Sequence, residues 1–136
     1  MPVIQADRLT RIGAALLKAA GASGEEATAV AVGCVNANLA GHDSHGVIAI
    51  PTYIDRIKVG HIVPGAPWSI VQETPTTTVI DGHWGFGFHV NAKAMELTIK
   101  KAKTANVAAC TVFRQSHVGR LAAYPLMAMR EGMIRS

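Results

Sequence analysis

The change of period at Pro64-Gly65-Ala66-Pro67 limits this chain more than any other feature. Before it, apolar residues recur at helical spacing. After it come two short β-branched runs, residues 69–73 and 76–81, separated only by Thr74-Pro75. Proline fixes φ and lacks an N–H, so neither a helix nor an inner strand runs through this point. The reading is therefore an α+β chain, with a helical region over residues 1–66 and the start of a sheet domain over residues 67–136. The two β runs are expected to pair as an antiparallel hairpin.

In the helical region, Asp7 is the expected N-cap of a helix whose stripe Leu9, Ile12, Leu16 and Ala20 stops at Gly21. Ser23-Gly24-Glu25-Glu26 is a capping box, in which hydroxyl and carboxylate each satisfy a free backbone N–H of the other residue. Ala27, Val30, Ala31, Cys34 and Val35 carry this second helix to about Leu39, and the two form a hairpin. Ile50, Tyr53, Ile54 and Ile57 mark a third helix, with Pro51 tolerated in its first turn. Beyond the hairpin of strands, Ala92, Met95, Ile99 and Ala102 share a helix face ending near Asn106. Residues 107–113 read as a buried strand, and Leu121, Tyr124 and Ala128 as a last helix up to Gly132. Residues 132–136 read as a helix stop followed by the first residues of a strand, which predicts a partial chain.

Composition narrows the function classes. With 49% hydrophobic and 16% charged residues, the chain is more apolar than most soluble domains and is expected to leave apolar surface for something to cover. It has no apolar run of membrane-spanning length, and residues 1–8 lack the basic start and apolar core of a signal peptide, so the expected compartment is the cytoplasm. Cys34 and Cys110, without C-x-x-C spacing, predict two reduced core thiols, and no histidine spacing supports a metal. Acids and bases balance up to Gly60, and the net charge of +4 arises after it, from Lys93, Lys100, Lys101, Lys103, Arg114, Arg120, Arg130 and Arg135. A basic half suits a phosphorylated cofactor or a solvated helix face. The aromatics are too few, and not interleaved with the bases, for nucleic acid.

Gly41-His42-Asp43-Ser44-His45-Gly46-Val47 places a carboxylate, a hydroxyl and two imidazoles at the junction of two helices. Imidazole titrates near neutrality and can give or take a proton, and an adjacent hydroxyl can orient it or a substrate oxygen. The same residues make a good capping turn, which the local pattern alone favours. Gly82-His83-Trp84-Gly85-Phe86-Gly87 lies between a strand and a helix, as phosphate loops do. Its glycines run G-x-x-G-x-G instead of G-x-G-x-x-G, and no Walker lysine follows, so a Rossmann fold, with Arg114 meeting a 2′-phosphate, is not expected. A tight turn packing Trp84 and Phe86 into the core is expected instead. His117 follows a strand and precedes a helix, where ligands gather in sheets covered by helices, and Ser116 with the N–H groups of Val118 to Arg120 can face an anion there. A helix-capping loop histidine explains His117 equally well. His61 and His89 read as surface or helix-end residues.

Taken together, Asp43-Ser44-His45-Gly46-Val47, Pro51, Tyr53, Arg56-Ile57, Gly60, Ile62, Pro64, Asp81-Gly82, Gly85, Gly87, Ala102, Ser116-His117, Gly119 and Gly132-Met133-Ile134 resemble the malate/L-lactate dehydrogenase family. The resemblance implies a helical N-terminal part and a mixed, mainly antiparallel sheet domain of non-Rossmann type. It also implies hydride transfer between NAD or NADP and a 2-hydroxyacid or 2-oxoacid. By position it makes His45 the proton donor and acceptor, Ser44 its hydrogen-bonding companion, and His117 a group beside substrate and nicotinamide. His117, Val118, Gly119, Arg120 and Leu121 match the cofactor segment, and Tyr53 falls on the substrate side. A homodimer is implied for the full-length protein.

Two departures stand out. Ala49 replaces an arginine that grips the substrate carboxylate in many relatives, so Arg56, a residue beyond this chain or a different substrate must compensate. Family members also run well past Ser136, and the aspartate that partners the catalytic pair lies there. Residues 1–136 alone are therefore expected to have little or no dehydrogenase activity; turnover by this chain that vanishes in His45→Ala would contradict that. The alternative is a non-catalytic module that docks its apolar surface on a partner subunit.

Overall fold

The computed structural model describes residues 3–134. Helix α1, Ala6–Ala19, is capped by the backbone at Gln5 and not by Asp7, whose carboxylate lies inside the first turn and pairs with Arg11 at 3.0 Å. An acid inside the first turn still gains from the helix dipole without being the cap. The expected stripe is also displaced. Gly13 and Leu17 are buried, while Ile12 and Leu16 stay 43% and 50% exposed. The cause is Gly13: an added Cβ would come within 2.9 Å of Ile50 Cδ1 and 3.4 Å of Ala31 Cβ, so this face of α1 sits closest to its neighbours.

The Ser23–Glu26 capping box forms as expected at the start of α2, Gly24–Leu39, with bonds of 3.2 and 2.9 Å. It also does more than the spacing indicated. The second carboxylate oxygen of buried Glu26 accepts the Gly65 N–H at 2.8 Å, tying the break after the helical region to the beginning of α2. Two single 3-10 turns, Asp43–His45 and Val47–Ala49, then lead into α3, Ile50–Lys58, with Pro51 in its first turn.

Strands β1, Ser69–Glu73, and β2, Thr77–Asp81, pair antiparallel, with a register irregularity between Ile70 and Gln72. Helix α4, Gly87–Ala105, crosses over to β3, Ala109–Phe113, which lies parallel to β2. The sheet is thus mixed, in the order β1-β2-β3. Asn106 ends α4 in the left-handed conformation that asparagine tolerates. β3 departs from the expected buried strand. Its residues alternate between exposed and half-buried, because only Cys110 and Val112 face the α4 layer and β3 is an edge strand among the described residues. Cys34 is buried and Cys110 half-buried, both as free thiols, and burial pushes the Cys34 thiol up to about 12.

Helix α5, Ala123–Arg130, buries Tyr124 and Ala128 against Met95 of α4. Leu121, expected on this helix, instead sits in the preceding turn and is 67% exposed. Met133 and Ile134 are irregular, and the strand expected to begin at residues 135–136 lies outside the described residues. The main core joins Leu17, Val30, Cys34, Ile50, Tyr53, Ile62, Phe86 and Phe88, so the helical hairpin, α3 and the start of α4 share one apolar centre. Full burial of each large side chain there contributes about 1.5–3 kcal/mol. Among the described residues no helix is long and apolar enough to cross a membrane.

Candidate functional site

The Gly82–Gly87 turn sets up one wall of the site. Gly82 N–H bonds Phe113 O at 2.9 Å and Trp84 N–H bonds Arg114 O at 2.6 Å, fastening the end of β2 to the end of β3. His83, Trp84 and Arg114 all take positive φ here, at 45°, 63° and 47°. This left-handed path turns Trp84 outward, 52% exposed, against the expectation that it packs inside, while Phe86 returns to the core at 2%. Arg114 is not free for a phosphate, because its guanidinium forms a fork with the buried Asp81 carboxylate, which also accepts the His83 N–H at 2.9 Å.

The Arg114 hydrogen bonds, helped by His83, pull the Asp81 carboxyl down to about 2 against the opposing effect of burial. A carboxyl whose pKa is lower in the folded chain than in the unfolded one stabilises above its unfolded value and loses that contribution as pH falls through its folded value. The stability gap between wild type and Asp81→Asn is therefore expected to be full above about pH 4 and to shrink as pH falls toward about 2. Urea unfolding of both proteins across that window checks it, and a gap independent of pH would contradict it.

Ser116 and His117 follow directly on this turn. Gly87 N–H donates to Ser116 Oγ at 3.1 Å, and Ser116 N–H to Gly85 O at 3.1 Å, so residues 115–117 lie against the start of α4. A side chain at Gly87 would collide with the Ser116 and His117 carbonyls, which is why this approach needs glycine. His117 then reaches Tyr53 of α3. The Tyr53 hydroxyl lies 2.8 Å from His117 Nδ1, and the Gly119 N–H donates to the same nitrogen at 3.3 Å. A backbone N–H can only donate, so Nδ1 is an acceptor and the ring proton sits on Nε2. Burial, chiefly, raises the Tyr53 phenol and keeps it a donor. Partial burial, then the His45 and Arg56 charges, lower the His117 pKa below the usual histidine value and favour this neutral form.

The Ser44–His45 turn arrives at the same place from the end of α2. The His45 ring stands 5.6 Å from the His117 ring, and Ser44 Oγ lies 2.9 Å from His45 Nδ1, leaving Nε2 for a substrate. His42 packs edge-on at 6.4 Å from His45. The fold thus brings Ser44, His45, Tyr53 and His117 together from separate parts of the chain. Arg120 is half-buried and Leu121 exposed ahead of α5. The Gly119 N–H is spent on His117 and is not available to an anion at the head of α5. His61 is exposed, whereas His89 is largely covered on α4, with Glu25 3.9 Å away.

Two residues of the site were not legible as such. Phe88 packs edge-on against both Tyr53 and His117, at 5.9 and 6.2 Å, and fills a socket cut by two glycines, since a Cβ on Gly33 or Gly119 would collide with its ring. Asn38 bonds the backbone and side chain of the Ser44–His45 turn. The one signal for Asn38 was an amide in the last turn of α2, five residues before Asp43. Among the described residues no group of three or more His, Cys, Asp or Glu could hold a metal ion.

The chain is similar to known proteins over nearly its whole length. The model of the malate/L-lactate dehydrogenase family matches residues 4–136. An L-sulfolactate dehydrogenase of Methanocaldococcus jannaschii is 42% identical over 119 residues, 88% of this chain and 35% of that protein. A malate dehydrogenase of Pyrococcus abyssi is 37% identical over 131 residues, covering 96% and 36% respectively. Among solved structures, the sulfolactate dehydrogenase of M. jannaschii superposes with a TM-score of 0.94 at 37% identity, over 97% of this chain and 38% of that one. The malate dehydrogenase of Pyrococcus horikoshii gives 0.93 at 35% identity, over 96% and 37%. The chain therefore spans a little over a third of the length of these relatives, and it belongs to the malate/L-lactate dehydrogenase family.

Proposed function

We propose that the whole protein is an NAD- or NADP-dependent oxidoreductase interconverting a 2-hydroxyacid and a 2-oxoacid, with His45 as the group that exchanges the proton. The observation that carries this reading is the convergence of Ser44 and His45 with Tyr53 and His117, with the two imidazole rings 5.6 Å apart. In this reading residues 1–66 supply Ser44, His45 and Tyr53, and residues 67–136 open the nicotinamide-binding domain.

The residues present fit a dinucleotide. An apolar groove of about 550 Å³, lined by Gly33, Phe88, Val118, Tyr124, Arg120 and Arg130, adjoins His117 through Phe88 and Val118 without being lined by His117 itself. Its size and mixture of apolar wall and cation suit a nicotinamide ring joined to phosphates. A bound nicotinamide would supply the hydride chemistry at C2 of the substrate. His45 gives its proton to the carbonyl oxygen in reduction and recovers it in oxidation, while Ser44 holds the ring through Nδ1. His117, neutral and protonated on Nε2, donates a hydrogen bond toward the substrate and keeps its proton. Arg56, one helical turn beyond Tyr53 and close enough for its charge to act on His117, takes the carboxylate that Ala49 cannot. A homodimer belongs to the same reading, and half-exposed Ile12 and Leu16 with strongly exposed Leu39 and Ile48 are apolar surface such an assembly can cover.

A thermal melt with and without saturating NADH or NADPH tests the reading. Ligand that binds only the folded form stabilises it by about 2.7 kcal/mol at a hundredfold excess over its dissociation constant. A cooperative midpoint that rises with one of the two cofactors is the expected result and names the cofactor. A transition in the whole protein indifferent to both would sink the dehydrogenase reading.

A further inference from the structure

We infer that Asn38 is the positioning residue of this site, holding the His45 turn through both ends of its side-chain amide; the inference rests on His45 being the acid–base group proposed above. Asn38 sits half-buried in the last turn of α2. Its Nδ2 donates to Asp43 Oδ1 at 2.6 Å, and its Oδ1 accepts the Val47 N–H at 2.9 Å. The Val47 N–H can only donate, which fixes the orientation of the amide. Asp43 opens the first 3-10 turn and Val47 opens the second, so one planar group spans the segment that carries His45.

Gly46 lies buried between these two contacts with its Cα against the amide, and a Cβ there would collide with Oδ1, Nδ2 and Cγ of Asn38. The chemistry selects asparagine. One end of the side chain must donate and the other accept, which aspartate cannot do when ionised and leucine cannot do at all, while glutamine is one methylene too long for the fit over Gly46. The backbone fixed in this way sets where Ser44 meets His45 Nδ1 and how the His45 ring stands to His117. Asn38 touches neither ring and acts only through the turn.

The test is steady-state reduction by the whole protein of whichever of oxaloacetate, pyruvate or sulfopyruvate the wild type reduces fastest. Asn38→Ala is expected to lower kcat roughly 10- to 100-fold, the scale of an ångström-sized misplacement, with KM for the nicotinamide cofactor unchanged. In a His45→Ala background the same change should cost nothing further, because nothing is left to position. Asn38→Asp keeps the shape and the Val47 acceptor but sets a second carboxylate against Asp43. Its rate relative to wild type should rise as pH falls and the pair takes up a shared proton, a readout that survives if Asn38→Ala does not fold. Equal losses in the wild-type and His45→Ala backgrounds, or an Asn38→Asp rate ratio flat with pH, overturn the proposal and leave His45 in its role. Full turnover by His45→Ala alone overturns the reading beneath it.

Discussion

Replacing His45 by alanine is expected to lower kcat for 2-oxoacid reduction by the whole protein about 10²- to 10⁴-fold, the usual contribution of a positioned proton donor. The substitution removes a partly exposed ring whose only side-chain hydrogen bond among the described residues is with Ser44, so folding and cofactor affinity should change little. The loss should therefore fall on kcat with KM for the cofactor preserved, as expected for an interaction realised in the transition state. His117→Ala is expected to behave differently. In the proposed reading His117, whose pKa is lowered and whose Nδ1 is held by Tyr53 and Gly119, orients a substrate without exchanging a proton, so its removal should raise KM more than it lowers kcat. Near-wild-type turnover by His45→Ala together with an inert His117→Ala would reverse the two roles. Steady-state kinetics of both variants in both directions decides between them.

Phe88→Ala is expected to cost about 3–5 kcal/mol of stability, the range for emptying an aromatic site in a packed core. Phe88 is 7% exposed and belongs to the main core with Tyr53 and Phe86. The cavity has little means of collapsing. Two of the neighbours facing the ring, Gly33 and Gly119, have no side chains to move into it, and Gly119 is held at φ +70°. Such a loss is a large share of the roughly 5–15 kcal/mol by which a domain is stable. It should appear as a lower urea midpoint with an unchanged slope. The same substitution removes the wall behind Tyr53 and His117, so cofactor-dependent stabilisation should weaken along with the fold. A loss below about 1 kcal/mol would mean that the socket closes after all, and that Phe88 does not set the spacing of the site.

The two expectations differ because the residues differ in kind. His45 stands at a partly open surface, where a lost side chain removes chemistry and little packing. Phe88 stands where helix α2, helix α3 and residues 117–119 meet, so its loss reaches the chemistry through geometry. Asn38 falls between them: it is polar and half-buried, and its effect passes through a backbone turn.

Local signals reported local structure well. The Ser23–Glu26 box, Pro51 in the first turn of α3, the β1–β2 hairpin across Thr74-Pro75 and the end of α4 at Asn106 each depend on contacts within a few residues, and each formed as read. The misplaced apolar residues share one cause. Ile12 and Leu16, Trp84, Leu121 and β3 were assigned to the interior because they are apolar, and apolarity does not say which face a neighbour will cover. Gly13 turned α1 toward its bare face, left-handed backbone at His83 and Trp84 carried an indole outward, and β3 has a paired neighbour on only one side among the described residues.

By itself, the sequence determined the elements, their order, the break at Pro64-Gly65-Ala66-Pro67 and the presence of the Asp43-Ser44-His45-Gly46 and Ser116-His117 motifs, because these follow from hydrogen bonding and sterics over short stretches of chain. Only the tertiary structure decided that the motifs meet. A separation of 64 positions between Tyr53 and His117 leaves no local signal for their hydrogen bond. That contact exists because α4 packs on α2, Phe88 fills the gap left by two glycines, and the fastening of β2 to β3 swings residues 115–117 back toward α3. Long-range packing of this kind depends on the shapes of many side chains together, so it set the tautomer of His117, the lowering of its pKa and the distance to His45.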